Sequence, residues 1–145
     1  MQTSTSVYVG MAADIIHPGH INLLNHAAEL GSVTVGLLTD EAIRSYKAEP
    51  TMSYDERHVV VASLRQVEGV IPQLGLDYRP NLRRLQPRIV VHGDDWRSGP
   101  QRAVRQQILD ILHEWGGTLI EIPYFAGISS SDVRHRILMR GCANV

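Results

Sequence analysis

The stretch SVYVGMAADIIHPGHINLLNHAAELGSVTVGLL (residues 6–38) contains two apolar runs separated by one amphipathic segment. The runs SVYVG (6–10) and SVTVGLL (32–38) are rich in valine and show little polar alternation, which is typical of strands buried on both faces. Between them, HINLLNHAAEL (20–30) repeats its leucines and alanines at helical spacing, and Gly31 follows as a stop signal. The order strand, helix, strand predicts a β-α-β unit with parallel strands.

The rest of the chain repeats this alternation. Ser53 and Glu56 form a predicted capping box that opens a helix through Val67. Two further helices are predicted, from GPQRAVRQQILDILHEWGG (99–117) and as a short last helix from SSSDVRHRIL (129–138). Three more apolar runs are predicted as strands: GVIP (69–72), RIVVHG (88–93) and TLIEIP (118–123). We therefore predict an α/β fold, a single Rossmann-like domain over residues 1–145 with a doubly wound parallel five-stranded sheet and helices on both faces.

Composition excludes several function classes. Lys and Arg number 14 and Asp and Glu 15, and the net charge of −1 gives no general attraction for nucleic acid or an anionic membrane surface. The single cysteine, Cys142, excludes an internal disulfide framework and a multi-cysteine zinc site. The chain opens with polar residues, and no apolar run approaches membrane-spanning length. We expect a soluble cytoplasmic protein without nucleic-acid or membrane partners.

The loop between the first strand and the first helix carries two histidines, in DIIHPGH (14–20). In doubly wound folds this loop is a usual phosphate-binding position, because the helix start offers free backbone N–H groups. His17 and His20 would add directed donors, and Gly19 would let a phosphate approach the backbone. A Pro-Gly turn with a capping histidine is the structural alternative. A zinc site is a weaker one, because the spacing is not that of a metalloprotease helix.

A second anion-type helix start lies near the end of the chain, in GISSSDVRHRI (127–137). Hydroxyls and free backbone N–H groups converge there, and Arg134 stands one turn into the helix. An ordinary serine N-cap is the structural alternative for this segment on its own. Because both loops follow strands of one parallel sheet, we expect them on the same sheet edge, on either side of a shared crevice.

These two motifs resemble the signatures of the HIGH-superfamily nucleotidyltransferases, HPGH being similar to H-x-G-H and GISSSDVR to the second, serine-containing signature. Further blocks resemble the glycerol-3-phosphate cytidylyltransferase branch: TDE (39–41), Lys47, YDER (54–57), Arg65, VIP (70–72) and HGDDW (92–96). The nearest likeness is to the cytidylyltransferase domain fused ahead of phosphoenolpyruvate phosphomutase in the fosfomycin pathway, whose substrate is 2-hydroxyethylphosphonate. The resemblance thus implies that the chain is a domain of a longer fusion.

The resemblance also implies roles for individual residues. His17, His20 and Lys47 would be catalytic, stabilising charge on the α-phosphoryl group. Asp14 would lie near a Mg²⁺ ion that is held mainly by the CTP phosphates, with no certain metal ligand from the protein. The other residues implied to bind nucleotide, together with Asp14, are Met11, Ala12, Ala13, Gly19, Arg65, His92, Gly93, Asp94, Asp95, Trp96, Ile128, Ser129, Ser130 and Arg134.

Three positions depart from the family pattern. MAAD (11–14) stands where relatives have Gly-Thr-Phe-Asp, Glu49 replaces the second lysine of a Lys-x-Lys loop, and Tyr124 replaces an arginine. Each change removes a polar or cationic contact, which favours a smaller acceptor than glycerol 3-phosphate. We therefore expect a cytidylyltransferase that uses CTP, Mg²⁺ and a small phosphonate, 2-hydroxyethylphosphonate first, and that forms homodimers as its relatives do.

Several alternatives remain open at the level of sequence. The acceptor could be 2-aminoethylphosphonate or glycerol 3-phosphate, and a same-fold adenylyltransferase would share both histidines and the serine loop. A nucleotide-binding module without catalysis would bind CTP and release no pyrophosphate. A zinc hydrolase is the remaining alternative, which metal analysis would test.

Overall fold

The five predicted strands form one sheet in the computed structural model, which describes residues 4–96, 101–123 and 125–143. The strands are β1 (Ser6–Met11), β2 (Ser32–Leu38), β3 (Val67–Gln73), β4 (Ile89–Gly93) and β5 (Thr118–Ile122). The helices are α1 (Pro18–Leu30), α2 (Asp40–Arg44), α3 (Tyr54–Ala62), α4 (Arg79–Leu85), α5 (Arg102–His113) and α6 (Ser130–Ala143), with a 3-10 turn at Asp94–Trp96.

All neighbouring strands are parallel, and their order is β3-β2-β1-β4-β5. The chain moves outward from β1 through β2 to β3 and then returns to the other side of β1 for β4 and β5. The loops that follow β1 and β4 therefore diverge, and a crevice opens between them at the carboxyl ends of the strands. Ligands bind at this position in open α/β sheets.

Helices cover both faces of the sheet, as predicted. Val7 and Val9 of β1 pack with Leu24 of α1 on one face, which α3 also covers. Tyr8 points the other way and packs with Leu82 of α4 and with α5. Because successive side chains of a strand alternate between faces, both layers need apolar residues, and the strand sequences lack polar alternation for that reason.

Helix boundaries differ from the predictions at two places. Helix α1 begins at Pro18 rather than near His20, because proline suits the first helical position, where no N–H is needed. Helix α3 has the predicted capping box of Ser53 and Glu56 but ends at Ala62. Val67 therefore opens β3 instead of continuing the helix.

Two helices were not predicted, and one is longer than predicted. Helix α2 has only 5 residues, with the Thr39 hydroxyl accepting from the Ala42 N–H at 3.1 Å. Helix α4 is mostly polar and buries Leu82 alone, so neither segment shows a long apolar period. Helix α6 extends over 14 residues. Pro100 and Tyr124, which entered the predictions, lie outside the described residues. No helix in the described part of the chain is long and apolar enough to cross a membrane.

Candidate active site

A cavity of about 320 Å³ opens at the carboxyl ends of the strands, between the loops that follow them and the first turn of α6. This volume is at the lower end of the range of small-ligand sites. Most of the residues that the sequence predicted for the site line its walls: Met11, Ala12, Ala13, Asp14, His17, Gly19, His20, Lys47, His92, Gly93, Asp95, Ile128, Ser129, Ser130 and Arg134. The topology thus brings the histidine loop and the serine loop to one crevice.

The two histidines cap the helix that they begin. His17 is the N-cap of α1, and its Nδ1 accepts from the Gly19 N–H at 3.0 Å. His20 stands at the third helical position, and its Nδ1 accepts from the His17 N–H at 3.2 Å. The pair therefore forms a reciprocal capping box made of imidazoles. A Cβ at position 19 would lie 2.7 Å from Cε1 of His17, so this arrangement requires Gly19.

These hydrogen bonds determine where the ring protons lie. A backbone N–H can only donate, so Nδ1 of each ring is unprotonated and Nε2 carries the hydrogen. Burial, followed by the nearby His17 and Lys47, lowers the pKa of His20 to about 4. Burial also lowers the pKa of His17, against the opposing charge of Asp132. Near neutral pH the site therefore offers two uncharged Nε2–H donors on the cavity wall rather than two cations.

The pKa of His20 predicts that acid destabilises the fold. Its value falls from 6.5 to about 4 on folding, so the unfolded chain binds more protons between these pH values. The free energy of unfolding should therefore decrease as pH falls through this window, by about 2–3 kcal/mol from His20. Urea unfolding at about pH 7 and about pH 4.5 measures the difference, and His20→Asn should show a smaller one. Equal pH dependence in both proteins would contradict this assignment.

Asp14 joins three separate segments of the chain by hydrogen bonds. Its carboxylate accepts from the N–H groups of Thr51 and Met52, each at 2.9 Å, and from Nη2 of Arg134 at 2.9 Å. Burial raises the pKa of Asp14, but these hydrogen bonds outweigh it and leave the pKa below its usual value. Ala13, at φ 51°, turns the preceding backbone into the left-handed region. Asp14 therefore holds the loop after α2 and the start of α6 against the first loop.

The cations Lys47 and Arg134 lie on the cavity wall with the histidines. Burial and the nearby Arg134 lower the pKa of Lys47, while Asp14 opposes that shift. The Nζ atom of Lys47 lies 5.1 Å from the ring centroid of Tyr46, within the range of a cation–π contact. A partly desolvated ammonium and a guanidinium beside two helix N-termini suit a bound anion.

The two predicted serines have different surroundings. Ser129 caps α6: its hydroxyl accepts from the Asp132 N–H at 3.1 Å, and its own N–H donates to Oδ2 of Asp132 at 3.0 Å. The hydroxyl of Ser130 lies 3.4 Å from Nε2 of His17. The N-cap alternative therefore describes Ser129, whereas Ser130 faces the catalytic histidine predicted from the sequence.

Part of the HGDDW segment lies behind the cavity. His92, Gly93 and Asp95 line the walls, but Asp94 and Trp96 do not. Trp96 is 2% exposed, donates from Nε1 to Glu121 at 2.9 Å, and packs in the core. Its ring stacks on His92 with centroids 3.5 Å apart. The predicted contact of Trp96 with nucleotide is therefore corrected to a supporting contact with His92.

Arg65 is not part of the cavity. It lies two residues before Val67, the first residue of β3, and so at the amino end of that strand. The cavity walls are at the carboxyl ends, across the full length of the sheet. The prediction of a phosphate contact for Arg65 does not agree with this position, because spacing along the sequence does not show at which sheet edge a loop lies.

Arg57 is a site-organising residue that the sequence analysis did not single out. Its side chain is fully buried, and Nη1 donates to the carbonyls of Ala12 at 2.8 Å and Leu38 at 2.7 Å. Nε donates to Met52 O at 3.0 Å, and Nη2 pairs with Asp40 at 2.8 Å. The sequence signal that could have identified Arg57 is its helical spacing from Val61. Both residues lie on the face of α3 that packs against the core, where an arginine is unusual.

The described residues do not form a resident metal centre: no group of three or more His, Cys, Asp or Glu side chains among them could hold a metal ion. Asp14, the residue placed near Mg²⁺ by the family resemblance, already accepts hydrogen bonds from three protein donors. A divalent cation that enters with a nucleotide would therefore depend on the phosphates for most of its ligands.

Comparison with known proteins identifies the family. Residues 8–136 match the model of the cytidylyltransferase-like family. The bifunctional protein HldE of Vibrio parahaemolyticus is 30% identical over 127 residues, which are 86% of this chain and 26% of HldE. HldE of Vibrio cholerae is 37% identical over 87 residues, 58% of this chain and 18% of that protein. The chain thus spans only a fraction of these relatives, which are HldE proteins rather than fusions with phosphoenolpyruvate phosphomutase.

The fold also matches a solved structure. The lipopolysaccharide core biosynthesis protein of Thermoplasma volcanium superposes with a TM-score of 0.69 at 20% identity, over 84% of this chain and 97% of that one. This likeness supports the parallel five-stranded architecture. Together with the match over residues 8–136, it leaves one conclusion: the chain belongs to the cytidylyltransferase-like family of nucleotidyltransferase enzymes.

Proposed function

We propose that the chain transfers CMP from CTP to 2-hydroxyethylphosphonate, which gives cytidylyl-2-hydroxyethylphosphonate and pyrophosphate. Family membership supports nucleotidyl transfer, and because the reported relatives are HldE proteins, the choice of acceptor depends on the cavity itself. The observation that carries the choice of acceptor is the character of one end of the cavity, beside β2 and β3. That end is mostly apolar, with Lys47 and the nearby Arg134 as its cations among the described residues.

We assign to the acceptor end Leu38, Tyr46 and Leu76, which pack in one cluster, with Lys47 and Arg134 as its cations. Gln73 also lines it, but its side chain is buried and already accepts from Tyr8 and donates to the Gly75 carbonyl. A short acceptor with one anionic group and one hydroxyl suits this composition. A longer polyol would bring hydroxyls that lack partners there.

The proposed reaction is an in-line displacement at phosphorus. An oxygen of the phosphonate attacks the α-phosphorus of CTP, and the bond from that phosphorus to the oxygen bridging the β-phosphate breaks, so pyrophosphate leaves with the electron pair. The acceptor is already an anion near neutral pH, so no general base is needed. The Nε2–H groups of His17 and His20 would donate to the charge that develops on the α-phosphoryl oxygens, with Lys47 beside them. Mg²⁺, bound as the CTP complex, would neutralise charge on the triphosphate.

The choice of acceptor is tested by competition. With CTP limiting, we expect 2-hydroxyethylphosphonate to have a kcat/KM about 10-fold or more above that of glycerol 3-phosphate, because each unpaired hydroxyl in a closed site costs about 1–3 kcal/mol. Pyrophosphate release gives the rates, and mass spectrometry separates the products. Predominant formation of cytidine diphosphate glycerol would overturn the proposal and favour the glycerol branch.

The amino analogue and the other nucleotide form the remaining arms of this experiment. Glu49, which could have attracted an ammonium group, pairs instead with Arg44 at 2.8 Å, with its side chain 68% exposed. We therefore expect 2-aminoethylphosphonate to rank second, since it matches in size but places its ammonium near Lys47. Parallel reactions with ATP test the alternative of an adenylyltransferase, and binding of CTP without pyrophosphate release would indicate a non-catalytic module.

A further inference from the structure

His92 is held rigidly at the end of β4 that opens into the cavity. Two residues earlier, Val90 packs on the face covered by α4 and α5, and alternation along the strand directs His92 to the same face. Its ring lies 3.5 Å from the ring of Trp96 with an interplanar angle of 4°. Trp96 is fixed in turn by Glu121, which also binds Arg105 at 2.8 Å. The imidazole therefore has a defined orientation before any ligand binds.

The hydrogen bond of His92 determines its tautomer. Nδ1 lies 2.8 Å from the carbonyl oxygen of Gly93, and since a carbonyl can only accept, Nδ1 carries the proton. Burial lowers the pKa of His92, against the opposing effects of this hydrogen bond and of Asp95 and Glu121. The ring is therefore neutral near pH 7, and its Nε2 presents a lone pair.

This lone pair is open to solvent, on a residue that lines the cavity. Every side-chain nitrogen or oxygen that is sealed from solvent within the described part of the chain has a hydrogen-bond partner. The structure gives Nε2 of His92 no partner among the described residues, so this atom is open, and His92 lines the cavity. The site thus holds a fixed hydrogen-bond acceptor, in contrast to the two Nε2–H donors of the histidine loop.

Charge along the cavity indicates which part of a nucleotide reaches His92. The helix N-termini of α1 and α6 lie at the centre and suit the triphosphate. Lys47, near β2, suits the anionic acceptor. Around His92, near β4 and β5, the described wall residues include no cation; they comprise the carboxylate of Asp95 and such neutral groups as Gln101, Val104, Pro123 and Phe125. The uncharged nucleobase fits this end.

We infer that Nε2 of His92 accepts a hydrogen bond from the exocyclic amino group of the nucleobase, and that His92 thereby selects cytosine over uracil. Cytosine presents an N–H₂ donor at C4, whereas uracil presents a carbonyl acceptor at the same position. Against a fixed acceptor, the uracil oxygen would lose its hydrogen bond and meet a second lone pair. This inference rests on the proposed function for the placement of base, triphosphate and acceptor. Adenine also carries an exocyclic amino group. His92 therefore discriminates between bases with an amino group and bases with a carbonyl at this position, whereas discrimination between cytosine and adenine depends on the size of the pocket.

Binding of CTP and UTP, measured by calorimetry with Mg²⁺ and without any acceptor, tests this inference. We expect the unchanged protein to bind CTP about 10-fold or more tighter than UTP. His92→Leu removes the acceptor and should lower CTP affinity, which brings the ratio toward one. His92→Gln places an amide at the same point, and because an amide can either accept or donate, CTP affinity should be largely kept while UTP affinity rises. His113→Leu, at an exposed histidine in the last turn of α5, is the matched control and should keep the ratio unchanged.

A merely structural role for His92 would weaken both nucleotides together and would not improve UTP binding. Equal affinity for CTP and UTP in the unchanged protein would overturn the inference, and so would an unchanged CTP-to-UTP affinity ratio in His92→Gln. If His92→Leu does not fold, the result for His92→Gln alone tests the inference. Failure of the proposed function looks different. In that case CTP is still preferred over UTP in binding, but none of the phosphonates or glycerol 3-phosphate releases pyrophosphate.

Discussion

His17→Asn should lower the turnover of CTP with 2-hydroxyethylphosphonate by about 100-fold or more, while the protein keeps its resistance to urea. In the unchanged protein the Gly19 N–H donates to Nδ1 of His17 at 3.0 Å. An asparagine side-chain oxygen can accept this hydrogen bond instead, since asparagine is a good N-cap. The Nε2–H donor, which lies near Ser130 and the cavity, has no equivalent in asparagine. Loss of one preorganised donor to a developing oxyanion has an effect of this size.

The comparison variant His17→Ala removes both the cap and the donor. It should lose a similar factor in turnover and, in addition, about 1 kcal/mol of unfolding free energy. His20→Asn should repeat the result of His17→Asn, because Nδ1 of His20 plays the reciprocal capping role. Pyrophosphate release measures turnover, and urea unfolding measures stability. If His17→Asn and His20→Asn both turn over at nearly the unchanged rate, the histidines serve only to cap α1.

Arg57→Met should cost about 3–5 kcal/mol of unfolding free energy. The substitution leaves three buried or partly buried carbonyls without their donor, those of Ala12, Leu38 and Met52, and leaves Asp40 without its cation. The free energy of unfolding of a typical domain is about 5–15 kcal/mol, so this single substitution would remove a large share of the stability. Because the freed loops carry Ala12 and end near Lys47, turnover should fall as well in the fraction that remains folded.

Arg44→Met is the matched control for this prediction. Arg44 lies in the neighbouring helix α2 and pairs with Glu49 at 2.8 Å, but both side chains are exposed, at 49% and 68%. Exposed pairs contribute less than about 1 kcal/mol. The two variants therefore make the same chemical change to a paired arginine and differ in burial. Similar urea midpoints for both variants would show that the contribution of Arg57 to the free energy of unfolding does not depend on its burial.

Much of the fold follows from local patterns in the sequence. The five apolar runs became the five strands, with β2 as predicted and no strand end shifted by more than two residues, because a strand buried on both faces needs a continuous apolar sequence. The capping box at Ser53 and Glu56 was also predictable, since its partners stand three residues apart. The short helices α2 and α4 escaped prediction, because a segment stabilised by packing at one or two positions shows no clear period.

Part of the candidate site was likewise predictable from the sequence, and part of it was not. The helix starts at HPGH and at the serine run were predicted as anion-binding segments, and parallel topology alone places both at one sheet edge, where they line one cavity. The partners of Asp14 were not recognisable, since Thr51 and Arg134 lie 37 and 120 residues away along the chain. Nor could spacing show that Trp96 supports His92 from the core or that Arg65 lies at the far edge of the sheet.

The sequence by itself therefore determined the order of the strands and of the longer helices, the fold class and the two helix starts predicted to bind phosphate, because these depend on hydrophobic periodicity and on residues within one turn of each other. Only the tertiary structure decided what each polar side chain is free to do. Hydrogen bonds made on folding fix Nδ1 of His17 and His20 as acceptors, fix Nδ1 of His92 as a donor, and engage Asp14 and Arg57 within the protein. Availability for a ligand depends on which partners burial brings within about 3 Å, and that distance is set by the packing of segments far apart in the chain.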